Sequence, residues 1–127
     1  MTNNALLRVE HLKKYFPVRK GIFSSFASGA KRSYVRAVDD ISFTLQEEEI
    51  LWFVGESGCG KSTMSRAILR LTEPTDGQVF FRDREIISLG KKAFKAYRAK
   101  MQMIFQDPFG SLNPRRTVAD TLYQTIK

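Results

Sequence analysis

The 127-residue sequence predicts an α/β fold with an antiparallel β-region, on three observations. Ile41-Ser42-Phe43-Thr44-Leu45 alternates apolar and polar residues, the pattern of a strand with one buried face. Ile50-Leu51-Trp52-Phe53-Val54 is apolar without interruption, as expected of a strand covered on both faces in a parallel sheet. Directly after it come a glycine-rich stretch and then apolar residues at helical spacing. The size suits one domain with one modest core and excludes a two-domain enzyme. With 43% hydrophobic and 27% charged residues, neither wholesale disorder nor a fibrous repeat is expected. No apolar run approaches the roughly 18 to 20 residues of a membrane-spanning helix.

Taken in order, Leu7 to Tyr15 reads as a strand ending in a basic turn, and Pro17 stops it. The Gly-, Ser- and Lys/Arg-rich stretch between Arg19 and Arg36 reads as a surface loop or hairpin tip. The strand at Ile41–Leu45 is followed by an acidic turn, Gln46-Glu47-Glu48-Glu49, and then by the buried strand Ile50–Val54. Gly55 to Gly60 breaks that strand. Lys61 to Leu71 then sets Met64, Ala67, Ile68 and Leu71 on one helical face. Pro74, Asp76 and Gly77 turn the chain into a strand at Gln78–Arg82, and a second turn leads to a short Glu85-Ile86-Ile87 piece. Ala93, Phe94 and Tyr97 mark an amphipathic helix over Lys91–Lys100 whose basic face is read as solvated. Met101–Phe105 is a second buried-strand candidate, and two prolines fix the loop Asp107–Pro114. A last helix opens at Thr117, its N-cap, with Asp120 three residues on and Val118, Leu122 and Ile126 as its apolar stripe.

The chemistry concentrates in Gly55-Glu56-Ser57-Gly58-Cys59-Gly60-Lys61-Ser62-Thr63, which fits G-x-x-x-x-G-K-[ST] between a predicted strand and a predicted helix. The fold class therefore sharpens to that of a P-loop NTPase. A triphosphate carries about four negative charges, and backbone N–H groups at a helix N-terminus neutralise them without any side chain. Glycines let the backbone wrap that closely. In this pattern Lys61 bridges the β- and γ-phosphates, Ser62 offers its hydroxyl to Mg²⁺, and Thr63 bonds on the α-phosphate side, with Glu56, Ser57 and Cys59 at the variable positions. Lys+Arg 21 against Asp+Glu 13 gives a net charge of +8, which favours polyanionic partners without choosing among them. A single histidine, His11, and a single cysteine, Cys59, are too few for a zinc site. Cys59 lies in a helix N-terminal field that lowers a thiol pKa, so its alkylation is expected to block the loop. Lys91, Lys92, Lys95, Arg98 and Lys100 form a basic stripe that a nucleic-acid-associated P-loop ATPase, the rival reading, would use.

The segments HLKKYFPVRKG, AVDDISF, VGESGCGKST, ILRLTEPTDGQVFF and MQMIFQDPFGSLNPR together resemble the ATP-binding subunits of oligopeptide and dipeptide importers within the ATP-binding-cassette (ABC) transporter family. The resemblance spans nearly the whole chain. It implies that residues 1–127 are the N-terminal portion of one ABC nucleotide-binding domain, an α/β P-loop unit with an antiparallel β-subdomain. It implies that Phe16, or Tyr15 beside it, stacks on adenine, and that Gln106 is the Q-loop glutamine meeting Mg²⁺ and the attacking water. Catalytic roles would fall to Lys61 and Gln106, and metal contacts to Ser62 and Gln106. Asp107 to Arg116 would be docking surface for a membrane-spanning permease subunit. Further implied partners are ATP, a second ATP-binding subunit and, indirectly, an extracytoplasmic solute-binding protein, with no nucleic acid. The implied location is peripheral, on the cytoplasmic face of the membrane, in agreement with the lack of a secretory signal at the N-terminus.

The sequence departs from the family at the acidic turn, where Glu47-Glu48-Glu49 stands in place of a glycine and local strain is expected. It also carries no LSGGQ-like run, no apolar strand ending in Asp-Glu and no later histidine, so the chain is expected to bind ATP without efficient hydrolysis.

Overall fold

The computed structural model describes residues 5–18, 33–107, 113 and 115–126. Its elements are β1 (Ala5–Pro17), β2 (Tyr34–Gln46), α1 (Lys61–Ile68), β3 (Asp76–Phe81), β4 (Arg84–Glu85), α2 (Lys91–Arg98) and α3 (Val118–Ile126). The four strands form one sheet in the order β2-β1-β3-β4, with every pair antiparallel.

β1 and β2 are longer than the alternation predicts because they are arms of one hairpin: Pro17 faces Tyr34, and the Val18 amide donates to the Ser33 carbonyl at 2.9 Å. The expected hairpin tip at 19–32 lies outside the described residues. β1 is bent by a register shift between Val9 and Leu12, with His11 at φ 50°. Opposite that bend Gly77 sits at φ 98°, where an added Cβ would lie 2.5 Å from the His11 carbonyl oxygen and 2.6 Å from the Leu12 Cα. Only glycine admits both the conformation and the approach.

α1 and α2 contribute to the apolar core of the sheet. Val9, Leu12, Val38 and Val79 from the strands, Met64, Ala67 and Ile68 from α1, Phe94 from α2 and Ile86 make one cluster, with Leu12, Ala67, Val79 and Ile86 fully buried. Burying each large side chain is worth about 1.5–3 kcal/mol. α1 is shorter than predicted for a nameable reason. Arg70 takes φ 47°, its amide bonds the Ala67 carbonyl at 3.0 Å, and the Leu71 amide bonds the Arg66 carbonyl at 2.9 Å. This is a Schellman ending built without glycine. It moves Leu71 off the helical stripe, and Leu69 is buried instead.

The buried-strand expectations for Ile50–Val54 and Met101–Phe105 are overturned. Both segments are irregular, and Trp52 is 80%, Val54 95% and Ile104 95% exposed. A strand covered on both faces needs a hydrogen-bonded neighbour on each edge and helices over each face. Among the described residues no strand pairs with either segment. Phe53 meets Phe43 of β2 edge-on at 5.0 Å, and Met101 packs half-buried against the core cluster. At α3 the cap is as predicted: Thr117 Oγ1 donates to Asp120 at 2.7 Å, and the Asp120 amide donates back to Thr117 Oγ1 at 3.1 Å. Of the α3 stripe, Val118 and Leu122 are exposed. The strain expected at the acidic turn is present, with Glu48 at φ 62°.

Candidate functional site

The loop from Gly55 to Gly60 ends as the N-cap of α1. Gly60 has φ 99°, and an added Cβ would lie 2.1 Å from the Ala37 carbonyl oxygen of β2, so this glycine is required by conformation and by space. Gly58 is also left-handed, at φ 82°. The Met64 amide makes the first helical bond, to the Gly60 carbonyl at 2.9 Å, so the amides of residues 61–63 are left at the helix start without intrahelical acceptors. No acidic side chain occupies the first turn of α1 to compete for them.

These groups surround a cavity of about 370 Å³ lined by Ala37, Ser57, Gly58, Cys59, Gly60, Lys61, Ser62, Thr63 and Gln106. Residues 57–63 of the sequence-predicted loop and the distant Gln106 thus share one space, while Gly55 and Glu56 lie outside its lining. Lys61 folds back over the loop: its ammonium donates to the Gly55 carbonyl at 2.5 Å, the Glu56 carbonyl at 2.8 Å and Cys59 Sγ at 3.3 Å. That last bond holds the exposed Cys59 thiol below its ordinary pKa.

A second cavity, of about 390 Å³, shares Ala37, Cys59, Gly60 and Lys61 with the first and continues into an apolar wall of Val38, Ile41, Phe53, Val54 and Met64. Arg36 and Asp39 stand at its edge. Tyr15 is tied to this edge: its hydroxyl donates to Asp39, and the Arg36 guanidinium lies 5.5 Å from its ring centre. The hydrogen bond raises the Tyr15 pKa above the usual phenol value and lowers that of Asp39 below the usual carboxylate value. Phe16 lines neither cavity; it is 40% exposed, with the Lys14 ammonium 4.9 Å from its ring centre. Sequence reasoning missed the part played by β2. Gly60 signals that some backbone must pass close by, but not that it belongs to Ala37. Of the proposed docking segment, residues 108–112 and 114 lie outside the described residues. Among the described residues no cluster of His, Cys, Asp and Glu is arranged to hold a metal.

Comparison with known proteins fits this geometry. The fold matches cbiO1 from Clostridium perfringens, part of the ABC transporter complex cbiONQ, with a TM-score of 0.61 and 18% identity over 98% of this chain and 48% of that one. The oligopeptide transport ATP-binding protein AppF of Bacillus subtilis is 48% identical over 89% of this chain and 33% of its own length. The probable peptide ABC transporter ATP-binding protein y4tS of Sinorhizobium fredii is 45% identical over 98% of this chain and 34% of its own. The chain therefore spans about a third of the length of the curated relatives it matches. The family model described as ABC transporter matches residues 38–126, which takes in the glycine loop, Gln106 and most of β2, and this chain accordingly belongs to the ABC transporter family.

Proposed function

We propose that this chain is the phosphate-gripping part of an ATP-binding subunit which, in the whole protein, couples ATP binding and hydrolysis to uptake of oligopeptides or dipeptides. One observation carries the reading: the loop 57–63 and Gln106, 43 positions after Thr63 in the chain, line a single cavity at the start of α1. The peptide cargo is supported by the names of AppF and y4tS.

The residues fit a magnesium nucleotide. The amides of residues 61–63 supply hydrogen-bond donors that no side chain of the first turn competes for, and the left-handed Gly58 and Gly60 keep the cradle open. Lys61 would exchange the Gly55 and Glu56 carbonyls for the β- and γ-phosphate oxygens. Thr63 would bond on the α-phosphate side, with Ser57 and Cys59 of the cavity wall, and Gly55 and Glu56 next to them in the chain, contributing main chain. Ser62 and Gln106 offer neutral oxygens where Mg²⁺ would be held, and that ion neutralises phosphate charge when bound. Phe16 is the exposed ring for adenine to stack on, with Tyr15, beside the second cavity, as the alternative; such stacking is worth about 1–3 kcal/mol. Among the described residues that line the cavity holding Gln106, none is a carboxylate that could act as a general base. Turnover by the 127-residue chain is therefore expected to be slower than in the whole domain by a factor of about 10² or more. In the whole protein the partners would be permease subunits, a second ATP-binding subunit and, indirectly, a solute-binding protein. Partnership with permease subunits would place it peripherally on the cytoplasmic face of the membrane; among the described residues no helix is long and apolar enough to cross a membrane.

Thermal unfolding with and without Mg-ATP tests this reading. Ligand at about 100 times its Kd should add about 2.7 kcal/mol of apparent stability. An unchanged Tm, or turnover at the rates of complete transport ATPases, would overturn it. Iodoacetamide provides a second check. Cys59 should react at a pH below that of an ordinary thiol, because Lys61 stabilises its thiolate, and Mg-ATP should protect it. Lys61→Ala should move the reaction midpoint up toward the ordinary value.

A further inference from the structure

We infer that a second anion site lies between α1 and α2, built to take a small dissolved oxyanion of the phosphate or diphosphate type. A recess of about 280 Å³ is lined by Arg70, Glu73, Lys91, Phe94, Lys95 and Arg98, four cations against one carboxylate. It shares no residue with the two cavities beside the glycine loop.

Two of the cations are fixed in place. Arg70 Nε and Nη2 grip the Glu73 carboxylate at 3.1 and 3.0 Å, and Nη1 donates to the Leu89 carbonyl at 2.6 Å. Arg98 Nη2 donates to the Arg70 carbonyl at 3.0 Å, just past the C-terminus of α1, where a cation also opposes the negative end of the helix dipole. Both guanidinium groups pack on the Phe94 ring, at 4.8 and 5.2 Å from its centre, and that ring is buried. Lys91 and Lys95, four positions apart on α2, complete the ring of charge, and among the described residues neither ammonium group is held by a hydrogen bond or ion pair. The field is strong enough to register on Glu73, whose carboxyl is held below its usual range by the Arg70 hydrogen bond first and by Lys91 and Arg98 further on.

The shape selects the ligand class. A recess admits a compact anion but not the flat approach of a duplex or a bilayer surface. The Phe94 ring already carries two guanidinium groups, so it is not offered to a nucleobase, and the site reads charge alone.

Titration of the full chain with inorganic pyrophosphate by isothermal calorimetry tests the inference and separates it from the nucleotide-site reading. The parent should bind two equivalents, Lys61→Ala one, and Lys91→Gln/Lys95→Gln one at the glycine loop with Mg-ATP affinity unchanged. Loss of both ammonium groups should weaken the second site about tenfold or more, a change of about 1.4 kcal/mol or more. Lys91→Arg/Lys95→Arg should retain binding, which separates charge from fold, and far-UV circular dichroism checks that each variant stays folded. Loss of all pyrophosphate binding in Lys61→Ala, or two equivalents still bound by Lys91→Gln/Lys95→Gln, would overturn the inference. So would binding to phosphatidylinositol phosphate vesicles without binding of dissolved pyrophosphate.

Discussion

The apolar side chains of the antiparallel sheet and most of those in the two segments 50–54 and 101–105 meet different fates. In the sheet Val9, Leu12 and Val79 are at most 1% exposed, whereas Val54 and Ile104 are each 95% exposed. The difference lies in what each needs. β1, β2, β3 and β4 find their partners among themselves, and short helices cover them with Met64, Ala67 and Phe94. A doubly covered strand has no such local solution, because both its edges and both its faces must be filled from elsewhere in the chain. Apolar character decides that a segment is suited to burial; available neighbours decide whether it is buried.

The largest effect that would break this comparison is in the core. Leu12→Ala should destabilise the chain by about 2–5 kcal/mol, while Ile104→Ala should stay within about 0.5 kcal/mol, both read from urea midpoints. Equal losses would mean that 101–105 is packed as firmly as β1. A smaller contrast sharpens the backbone side of the account. Gly77→Ala should cost about 1–3 kcal/mol or more, since φ 98° and the His11 carbonyl both oppose a side chain, whereas Gly90→Ala, with nothing within 4 Å, should be near neutral. A tolerated Gly77→Ala would contradict the crossing described between β3 and the bend of β1.

Much of this was legible in the residues. The glycine loop announces itself by spacing, the α1 stripe by Met64, Ala67 and Ile68, and the α3 cap by Thr117 and Asp120. The early end of α1 was not, because its left-handed residue is Arg70 and propensity alone points to glycine there. Nor was the wall that Ala37 gives the loop, since a close backbone approach leaves its mark on Gly60 and none on the residue that approaches. The buried strands were misread for the reason the comparison teaches: periodicity reports a segment's preference and carries no information on its neighbours.

The role of the glycine loop is tested most directly by titrating a fluorescent ATP analogue, with Mg²⁺, into the parent chain and Lys61→Ala, both verified as folded. The parent should bind, and the variant should be weaker by about tenfold or more, as expected for removal of a charge-assisted contact worth about 1.5–3 kcal/mol. A folded parent with no affinity, or a variant that matches it, would contradict the assignment of Gly55 to Thr63 as the phosphate grip.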